Sequence, residues 1–363
     1  MTIRDLLVER IPDLELEVIC ANSTFVEAEH GLPALSQMKE LGRVFHHVWR
    51  NDGLLLGGGT PFYNDLKHMA YFWVLACLCR LGGGKLVVYG ASAQRLHTRS
   101  ARFFTRRIME MADLITVREP LTKTQLENDL GVRNQIICTA DPAITLTSAP
   151  QDRIDAILKA EGLAGVERPL IAICPHFFSN TDPYRVHHYE VFQDDHIETQ
   201  REVLCRAAEH LRQYGHVVFL PMNTDLPDSD VVVQQEMRER LSNVDGITFV
   251  ETQYRPKEIA GIFERCKLVV GVRLHALIMA SAVYTPVVGI NYAPKVQGFM
   301  DVLGEPEHCL SLKGLTFESL RVALDAYFKD YDGQQRAFVE HVKALQARAQ
   351  HNADLVARLF APR

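Results

Sequence analysis

The 363-residue sequence lacks the features that mark several large classes of protein. Its eight cysteines include no Cys-x-x-Cys pair, which argues against a structural zinc site and against a disulfide framework. Its most apolar stretch, Met69 to Leu81, is too short to span a membrane and predicts a buried helix. Its formal net charge is −6, which argues against broad binding to nucleic acid or to anionic membranes. Any basic binding site must therefore be local.

The remaining compositional features indicate an ordinary globular protein of the cell interior. Residues 1–5 carry early charges and no apolar core, so no signal peptide is visible. Cys138 and Cys174 lie inside apolar runs, which is typical of reduced, buried thiols. We therefore expect a cytoplasmic protein without an integral membrane segment, and peripheral association with a membrane stays open. At this length, two domains are the natural expectation.

Short β-branched runs alternate with segments of helical period along most of the chain. This order predicts an α/β protein with parallel sheets that carry helices on both faces. The predicted strands are Leu16–Cys20, Gly53–Leu56, Lys85–Tyr89, Leu114–Val117, Gln135–Cys138, Leu170–Cys174, His216–Leu220, Ile247–Val250, Leu268–Val270 and Pro286–Ile290.

The pattern divides into two similar halves around residues 148–168. We expect two Rossmann-like domains, residues 1–150 and 165–315, with a cleft between them. Residues 316–363 read as almost wholly helical and are expected to form a set of C-terminal helices.

Three glycine-containing motifs do not fit the chemistry that they suggest. The segment 81–85 has Leu86 where a phosphate loop needs Ser or Thr. The segment 57–60 lacks the third glycine of a dinucleotide fingerprint, since Phe62 stands there. Ser92 follows a strand, as the catalytic serine of a nucleophile elbow does, but Gln94 stands where that turn has a glycine. Ser92 is therefore more simply explained as part of a strand-to-loop connection.

The strongest functional signal is the run from Cys266 to Ser281. A strand leads to Gly271 and a helix begins near Leu274, so Arg273 and His275 fall at a strand end and a helix start. Open α/β sheets bind ligands at that edge, and helix N-termini attract anions. The next strand delivers Lys295 to the same edge, which predicts a clamp for carboxylate and phosphate groups. The alternative is a solvated, charged rim.

Other polar residues carry weaker signals. Arg118 lies just beyond a predicted strand of the first half. Asp141 is expected to cap the following turn. Four histidines could suggest a metal site, but their irregular loop setting favours a polar surface, and we expect no metal: His176, His187, His188 and His196.

An ordered set of short motifs resembles the polysaccharide pyruvyl transferases. The motifs are Val-Arg-Glu at 117–119, Leu-Gly-Val at 130–132, Ala-Asp-Pro-Ala at 140–143, Gly-Val-Arg-Leu-His-Ala-Leu-Ile at 271–278 and Tyr-Ala-Pro-Lys-Val at 292–296. The resemblance extends from Leu54 to about Leu303. It implies two Rossmann-like domains of the glycosyltransferase-B type. It also implies transfer of a pyruvyl group from phosphoenolpyruvate to a sugar as a pyruvate ketal.

The resemblance also implies roles for individual residues. By position, Arg118, Arg273, Leu274 and Lys295 correspond to donor-binding residues, and His275 belongs to the same element. The glycine loop on the acceptor side corresponds to Gly57, Gly58, Gly59 and Thr60. Relatives usually open with a strand and an Asn-x-Gly-Asp segment, whereas this sequence starts within the following helix, so we expect the first sheet to lack that leading strand.

A reaction scheme follows from these assignments. His275 is our candidate general acid, because imidazole titrates near neutral pH, while Arg118, Arg273 and Lys295 would hold the donor's anionic groups. The scheme needs no cofactor beyond phosphoenolpyruvate as co-substrate. The expected acceptor is a sugar, lipid-linked or nucleotide-linked. Two alternatives stay open, namely a glycosyltransferase that uses a nucleotide sugar and a catalytically silent glycan-binding protein.

Overall fold

The computed structural model describes residues 2–176, 178, 194–225 and 229–361. The chain forms two compact units. The first comprises Met1–Ala143 together with Ala347–Arg363, and the second comprises Ile144–Gln346. Each unit contains a parallel β-sheet covered by helices, as the alternating sequence pattern predicts.

All ten predicted strands are present, and the described residues contain two further short strands. The strands are β1 Val18–Cys20, β2 Ala34–Ser36, β3 Gly53–Phe62, β4 Lys85–Ala93, β5 Leu114–Val117, β6 Ile136–Cys138, β7 Leu170–Cys174, β8 His216–Phe219, β9 Ile247–Phe249, β10 Cys266–Gly271, β11 Val287–Asn291 and β12 Cys309–Ser311.

Helices connect most of these strands. Those described are α1 Thr2–Val8, α2 Ser23–His30, α3 Leu41–Arg50, α4 Leu66–Leu81, α5 Arg99–Met111, α6 Pro120–Thr124, α7 Gln151–Ala160, α8 Asp194–Leu211, α9 Asp230–Arg240, α10 Pro256–Glu264, α11 Leu274–Ala282, α12 Pro294–Leu303, α13 Phe317–Lys329 and α14 Tyr331–Phe360.

The first unit has a four-stranded parallel sheet in the order β3-β4-β5-β6. Alternate residues of its strands point to two separate cores, as the twofold period of a strand requires. Leu86 and Val88 of β4 join a core with α3, α4 and α5. Val87 and Tyr89 of the same strand pack instead with residues of α1 and α14.

The start of the chain does not contribute a strand to that sheet. Among residues 2–17 the structure contains α1 and no strand, and β1 pairs with β2 in a separate two-stranded sheet. The four-stranded sheet therefore begins with β3 at Gly53. The lack of the family's leading strand stays a prediction.

The second unit has a six-stranded parallel sheet in the order β12-β11-β10-β7-β8-β9. All five residues of β7 are buried, which is the pattern of a parallel strand covered on both faces. Tyr327 of α13 lies in the core on one of these faces. The predicted separate region of C-terminal helices is therefore not observed, because α13 belongs to the second unit.

The last residues of α14 belong to the first unit instead. The buried Asn352 amide donates to the carbonyl of Ala140 at 3.1 Å, and Thr139 Oγ1 donates to Asn352 Oδ1 at 2.7 Å. The boundary near residue 150 also shifts to 143, since Ala149 N–H donates to the carbonyl of Lys257 in the second unit. Within the described residues, no helix has the length and apolarity needed to cross a membrane.

Candidate functional site

Four neighbouring strands of the second sheet end at a common edge. In the paired register, Gly271 of β10 lies beside Gly289 of β11 on one side and beside Cys174 of β7 on the other. Strand β8 pairs with the far side of β7. Because all four strands are parallel, the residues that follow them gather at the carboxyl edge of the sheet, where α/β proteins bind ligands.

Arg273 is held at this edge by a buried carboxylate that the sequence did not reveal. Its Nε lies 2.7 Å from Oδ2 of Asp230, and its Nη2 donates to Oδ1 at 2.8 Å. Asp230 begins α9 and is completely buried, and its Oδ2 also accepts from the backbone N–H groups of Met222 and Asn223. A buried carboxylate needs such partners, so the pair fixes the direction of the guanidinium.

Leu274 and His275 open α11, with Arg273 at the N-cap position. Leu274 is buried, so a ligand could contact it only through its backbone. His275 occupies the second helical position and is exposed. The predicted placement of both residues at a helix start is confirmed, and their roles toward a donor stay predictions.

Lys295 occupies the equivalent position of the next helix. It is the second residue of α12, after Pro294, and its Nζ lies 5.2 Å from the centre of the Tyr292 ring. This distance allows a cation–π contact, which restrains an otherwise flexible lysine. Tyr292 belongs to the same sequence motif as Lys295, but its contact with the lysine becomes visible only in the fold.

Tyr292 belongs to an aromatic cluster that includes His176 at the end of β7. The His176 ring stacks on Phe178 with centroids 4.4 Å apart, and both rings meet Tyr292 edge-on. His176 Nδ1 also lies 4.0 Å from Asp230 Oδ1. His176 is buried, so the prediction that it forms part of a polar surface is wrong.

Of the other histidines of that prediction, only His196 lies within the described residues. His196 lies in α8 and is half-buried, while His187 and His188 lie outside the described residues. Within the part of the chain that the structure describes, no group of three or more His, Cys, Asp or Glu residues could hold a metal ion.

The carboxyl edge of the first sheet carries a polar cluster of its own. Arg118 follows β5, is buried, and donates from Nη1 to Asp141 Oδ2 at 2.5 Å. Its Nε lies 3.5 Å from Glu119 Oε2, and Nη2 donates to Thr60 Oγ1 at 3.3 Å. Ser92 at the end of β4 donates to Glu119. Consecutive strands β3 to β6 thus each contribute to one cluster.

Two carboxylates balance the charge of Arg118. Burial alone would lower the pKa of this guanidinium, but Asp141 and Glu119 raise it above its ordinary value. Asp141 also caps its turn, as predicted, because Oδ1 accepts from the N–H of Ala143 at 2.9 Å. An anionic donor would have to compete with both carboxylates for Arg118, whose donor-binding role stays a prediction.

The glycine segment of the first unit is an irregular stretch of β3 rather than a loop. A Cβ at Gly57 would lie 2.0 Å from the carbonyl oxygen of Tyr89 on the paired strand, so a side chain is excluded there. Gly58 has φ +74°, a conformation that favours glycine. The pairing with β4 shifts between Gly59 and Phe62, which leaves Thr60 directed at Arg118. Contact of the segment 57–60 with a sugar acceptor stays a prediction.

Comparison with known protein families identifies the chain. Residues 3–294 match the model of the family described as polysaccharide pyruvyl transferase. The chain belongs to this family. The match includes Arg118, Arg273 and His275 and ends one residue before Lys295, so the pyruvyl transferase motifs at both sheet edges lie within it or directly beside it.

Solved structures show that this pyruvyl transferase family member has a fold of the glycosyltransferase-B type. A putative UDP-N-acetylglucosamine 2-epimerase from Listeria monocytogenes is 14% identical, with a TM-score of 0.59 over 97% of this chain and 89% of that chain. The Anabaena protein Alr3699/HepE, in complex with UDP, is 13% identical, with a TM-score of 0.54 over 99% and 94%. The E. coli ADP-heptose heptosyltransferase II is 13% identical, with a TM-score of 0.51 over 91% and 94%.

Proposed function

We propose that this protein transfers the pyruvyl group of phosphoenolpyruvate to a sugar of a glycan or glycolipid precursor, forming a pyruvate ketal and releasing phosphate. Family membership supports the reaction class. The observation that carries the proposal is the common edge of β10 and β11, where Arg273, His275 and Lys295 follow neighbouring strands. An arginine, a lysine and an exposed imidazole at one sheet edge suit a small donor that carries both a phosphate and a carboxylate.

In the proposed reaction, His275 protonates the methylene carbon of the donor. The adjacent carbon becomes an oxocarbenium-like centre, which one sugar hydroxyl attacks with loss of its proton. Departure of phosphate then regenerates an oxocarbenium-like centre at the same carbon, and a second hydroxyl of the sugar attacks it, with loss of its own proton, to close the ketal. Arg273 and Lys295 hold the donor's anionic groups and stabilise the charge on the departing phosphate.

The environment of His275 suits a general acid that becomes charged when the donor binds. The start of α11 disfavours an imidazolium, since the helix N-terminus carries partial positive charge. A bound phosphate and carboxylate would favour the same cation. Protonation of His275 would thus be coupled to occupancy of the site. We place the reaction in the cytoplasm, where the eight cysteines would stay reduced.

Calorimetric titration with phosphoenolpyruvate and, separately, with UDP-sugars tests the proposed donor. We expect binding of phosphoenolpyruvate that weakens about ten- to a hundredfold in Lys295→Ala. Lys159→Ala is the matched control and should bind like the parent protein, because it removes an exposed lysine of the same unit from the last turn of α7, the helix that leads into the opposite end of the sheet. Binding of a UDP-sugar without binding of phosphoenolpyruvate would instead favour a nucleotide-sugar glycosyltransferase. That outcome would contradict the proposal.

A further inference from the structure

One outer face of the first unit carries a concentration of positive charge. Helices α3, α4 and α5 pack over the same side of the four-stranded sheet, with α4 in contact with both of the others. Their 39 residues include eight lysines or arginines and one acidic residue, a net charge of +7. The whole chain has a net charge of −6, so this three-helix face has the opposite sign to the rest of the molecule.

The central helix of this face is apolar on its outer side as well as its inner side. Only Met69, Leu75, Ala76 and Cys79 of its 16 residues are buried, so the prediction of a buried helix is wrong for most of α4. Ala70, Val74, Cys77 and Leu81 follow one another at intervals of three or four residues, which places them on one side. None of these four is buried, and Leu81 is 71% exposed.

Helix α3 flanks this apolar stripe with basic residues and an exposed tryptophan. Arg43, His46 and Arg50 are spaced by three and four residues and are all exposed. Trp49 is 45% exposed and lies against the end of α4, since its carbonyl oxygen approaches Gly82. The second of the two tryptophans of the chain, Trp73 on α4, packs against the core of the unit instead.

Helix α5 flanks the stripe on the other side in the same manner. Arg99, Phe103, Arg106 and Arg107 are all exposed, and the Arg107 guanidinium lies 5.5 Å from the centre of the Phe103 ring. Glu110 pairs with Arg106 and Arg107 at 2.7 and 3.0 Å. One carboxylate shared by two arginines leaves this helix strongly positive.

Acidic residues just outside these helices offset part of the charge. Glu40 pairs with Arg43, and Asp113 pairs with Arg80. Such surface pairs are weak and screened, and both arginines keep more than a third of their side-chain surface exposed. The face therefore still presents guanidinium groups on both sides of an apolar stripe.

We propose that the three-helix face docks on the surface of an anionic phospholipid bilayer. Phosphate headgroups would bind the arginines of α3 and α5, and Leu81 with Trp49 would enter the boundary between headgroups and acyl chains. Basic residues beside exposed aliphatic and aromatic side chains are the composition of interfacial membrane-binding surfaces, and tryptophan prefers that boundary. An acidic protein partner would match the charge but would leave the apolar stripe of α4 without a role. The membrane contact does not depend on which donor or acceptor the enzyme uses.

Vesicle co-sedimentation of the full-length protein tests this proposal. Vesicles of phosphatidylcholine and phosphatidylglycerol in equal parts should bind the protein, and added salt should weaken binding. Vesicles of phosphatidylcholine alone should bind it at least about tenfold more weakly, because each basic residue near an anionic surface contributes to binding. In the Trp73→Phe variant, Trp49 is the single remaining tryptophan and reports on the three-helix face. Its fluorescence emission should shift to shorter wavelength when anionic vesicles are added, and should not shift with vesicles of phosphatidylcholine alone.

Charge-reversal variants locate the surface. Arg50→Glu/Arg99→Glu should lose at least about tenfold in affinity for the anionic vesicles. The matched control Lys313→Glu/Arg336→Glu makes the same charge change at exposed positions of the second unit and should bind like the parent. Both variants should keep the parent melting temperature, because all four side chains are exposed.

Three outcomes would overturn the proposal. One is equal binding to the two kinds of vesicle, or binding to neither. Another is an equal loss in the test variant and its control. The third is a dimer in analytical ultracentrifugation that Arg50→Glu/Arg99→Glu dissociates, which would assign the face to a second copy of this chain.

Discussion

At the scale of single residues, the site rests on the ion pair between Arg273 and Asp230. The motif around Arg273 is visible in the sequence, whereas its partner stands 43 residues earlier, at the start of a helix in another βα unit. No local pattern links the two positions, since only the order of strands in the sheet brings them together. The sequence therefore predicts the position of the arginine but not what holds it.

Replacing the buried carboxylate tests this account of Arg273. Asp230→Asn keeps the shape and removes the charge, so the free energy of unfolding should fall by about 2–4 kcal/mol. Asp155→Asn is the matched control, because Asp155 also pairs with an arginine of the second unit, Arg265 at 3.0 Å, but is 65% exposed. Asp155→Asn should lower the free energy of unfolding by less than about 1 kcal/mol. Urea unfolding measures both values, and equal losses would contradict a special role for the buried pair.

At the scale of secondary structure, runs of β-branched residues predict strands well and glycine-rich segments do not. The sequence indicates Gly53–Leu56, but the strand continues to Phe62 through a glycine segment with low intrinsic strand propensity. Pairing with β4 extends it. β2 has the sequence Ala-Leu-Ser and β12 has Cys-Leu-Ser, so neither contains a β-branched residue that would mark it as a strand. The equally short β1, β6 and β9 each contain at least one and are predicted from the sequence.

The close approach of β3 to β4 gives a second prediction. Gly57→Ala should lower the free energy of unfolding by about 1–3 kcal/mol or more, because the added Cβ would meet the backbone of Tyr89 and force the strands apart. Gly42→Ala in α3 is the control, since its Cβ would meet no atom within 4 Å. It should leave stability unchanged or raise it by less than about 1 kcal/mol. If urea unfolding gives Gly57→Ala the same free energy of unfolding as the parent, the close approach of β3 to β4 at Gly57 would be contradicted.

Helix α4 shows a second limit of sequence patterns. Its residues are apolar on all sides, and such a helix reads as buried whether or not another element covers it. The charges that distinguish its surroundings lie on α3 and α5, so the three-helix face emerges only when the helices are placed side by side.

At the scale of the whole molecule, the two α/β units are predictable and the path of the chain between them is not. A repeating βα order indicates two parallel sheets, as found. A helical pattern at the end of a chain does not reveal which unit it packs on. Here Asn352 of α14 bonds to Thr139 and Ala140, so the final residues return to the first unit.

The raised pKa values of three thiols should make the stability of the molecule sensitive to alkaline pH. Burial raises the pKa of Cys266 and Cys309 to about 12 and that of Cys205 to about 11, against an ordinary value of 9.0. Above about pH 9 an unfolded chain loses protons that the folded chain keeps, so stability should fall as pH rises through the window up to these raised values. Each thiol contributes up to about 1.4 kcal/mol per pH unit.

Urea unfolding in the presence of a reductant, from about pH 8 to about pH 10.5, measures this slope. Cys266→Ala should reduce the slope, because it removes one raised thiol. Cys20→Ala, at a half-buried position, should change it less. A stability that stays constant over this range, or an identical slope in Cys266→Ala, would contradict the assignment.

The central claim is that the edge of β10 and β11 performs phosphoenolpyruvate-dependent pyruvyl transfer. The most direct measurement is phosphate release from phosphoenolpyruvate with a panel of lipid-linked and nucleotide-linked sugars, for the parent protein, His275→Ala and Lys295→Ala. Release should require an acceptor. Lys295→Ala should raise KM for the donor about ten- to a hundredfold, whereas His275→Ala should lower kcat by about 10²–10⁴-fold with a smaller change in KM. His275 is exposed, so its loss removes little packing. Near-parent turnover by His275→Ala, or no acceptor-dependent release by the parent, would contradict the account.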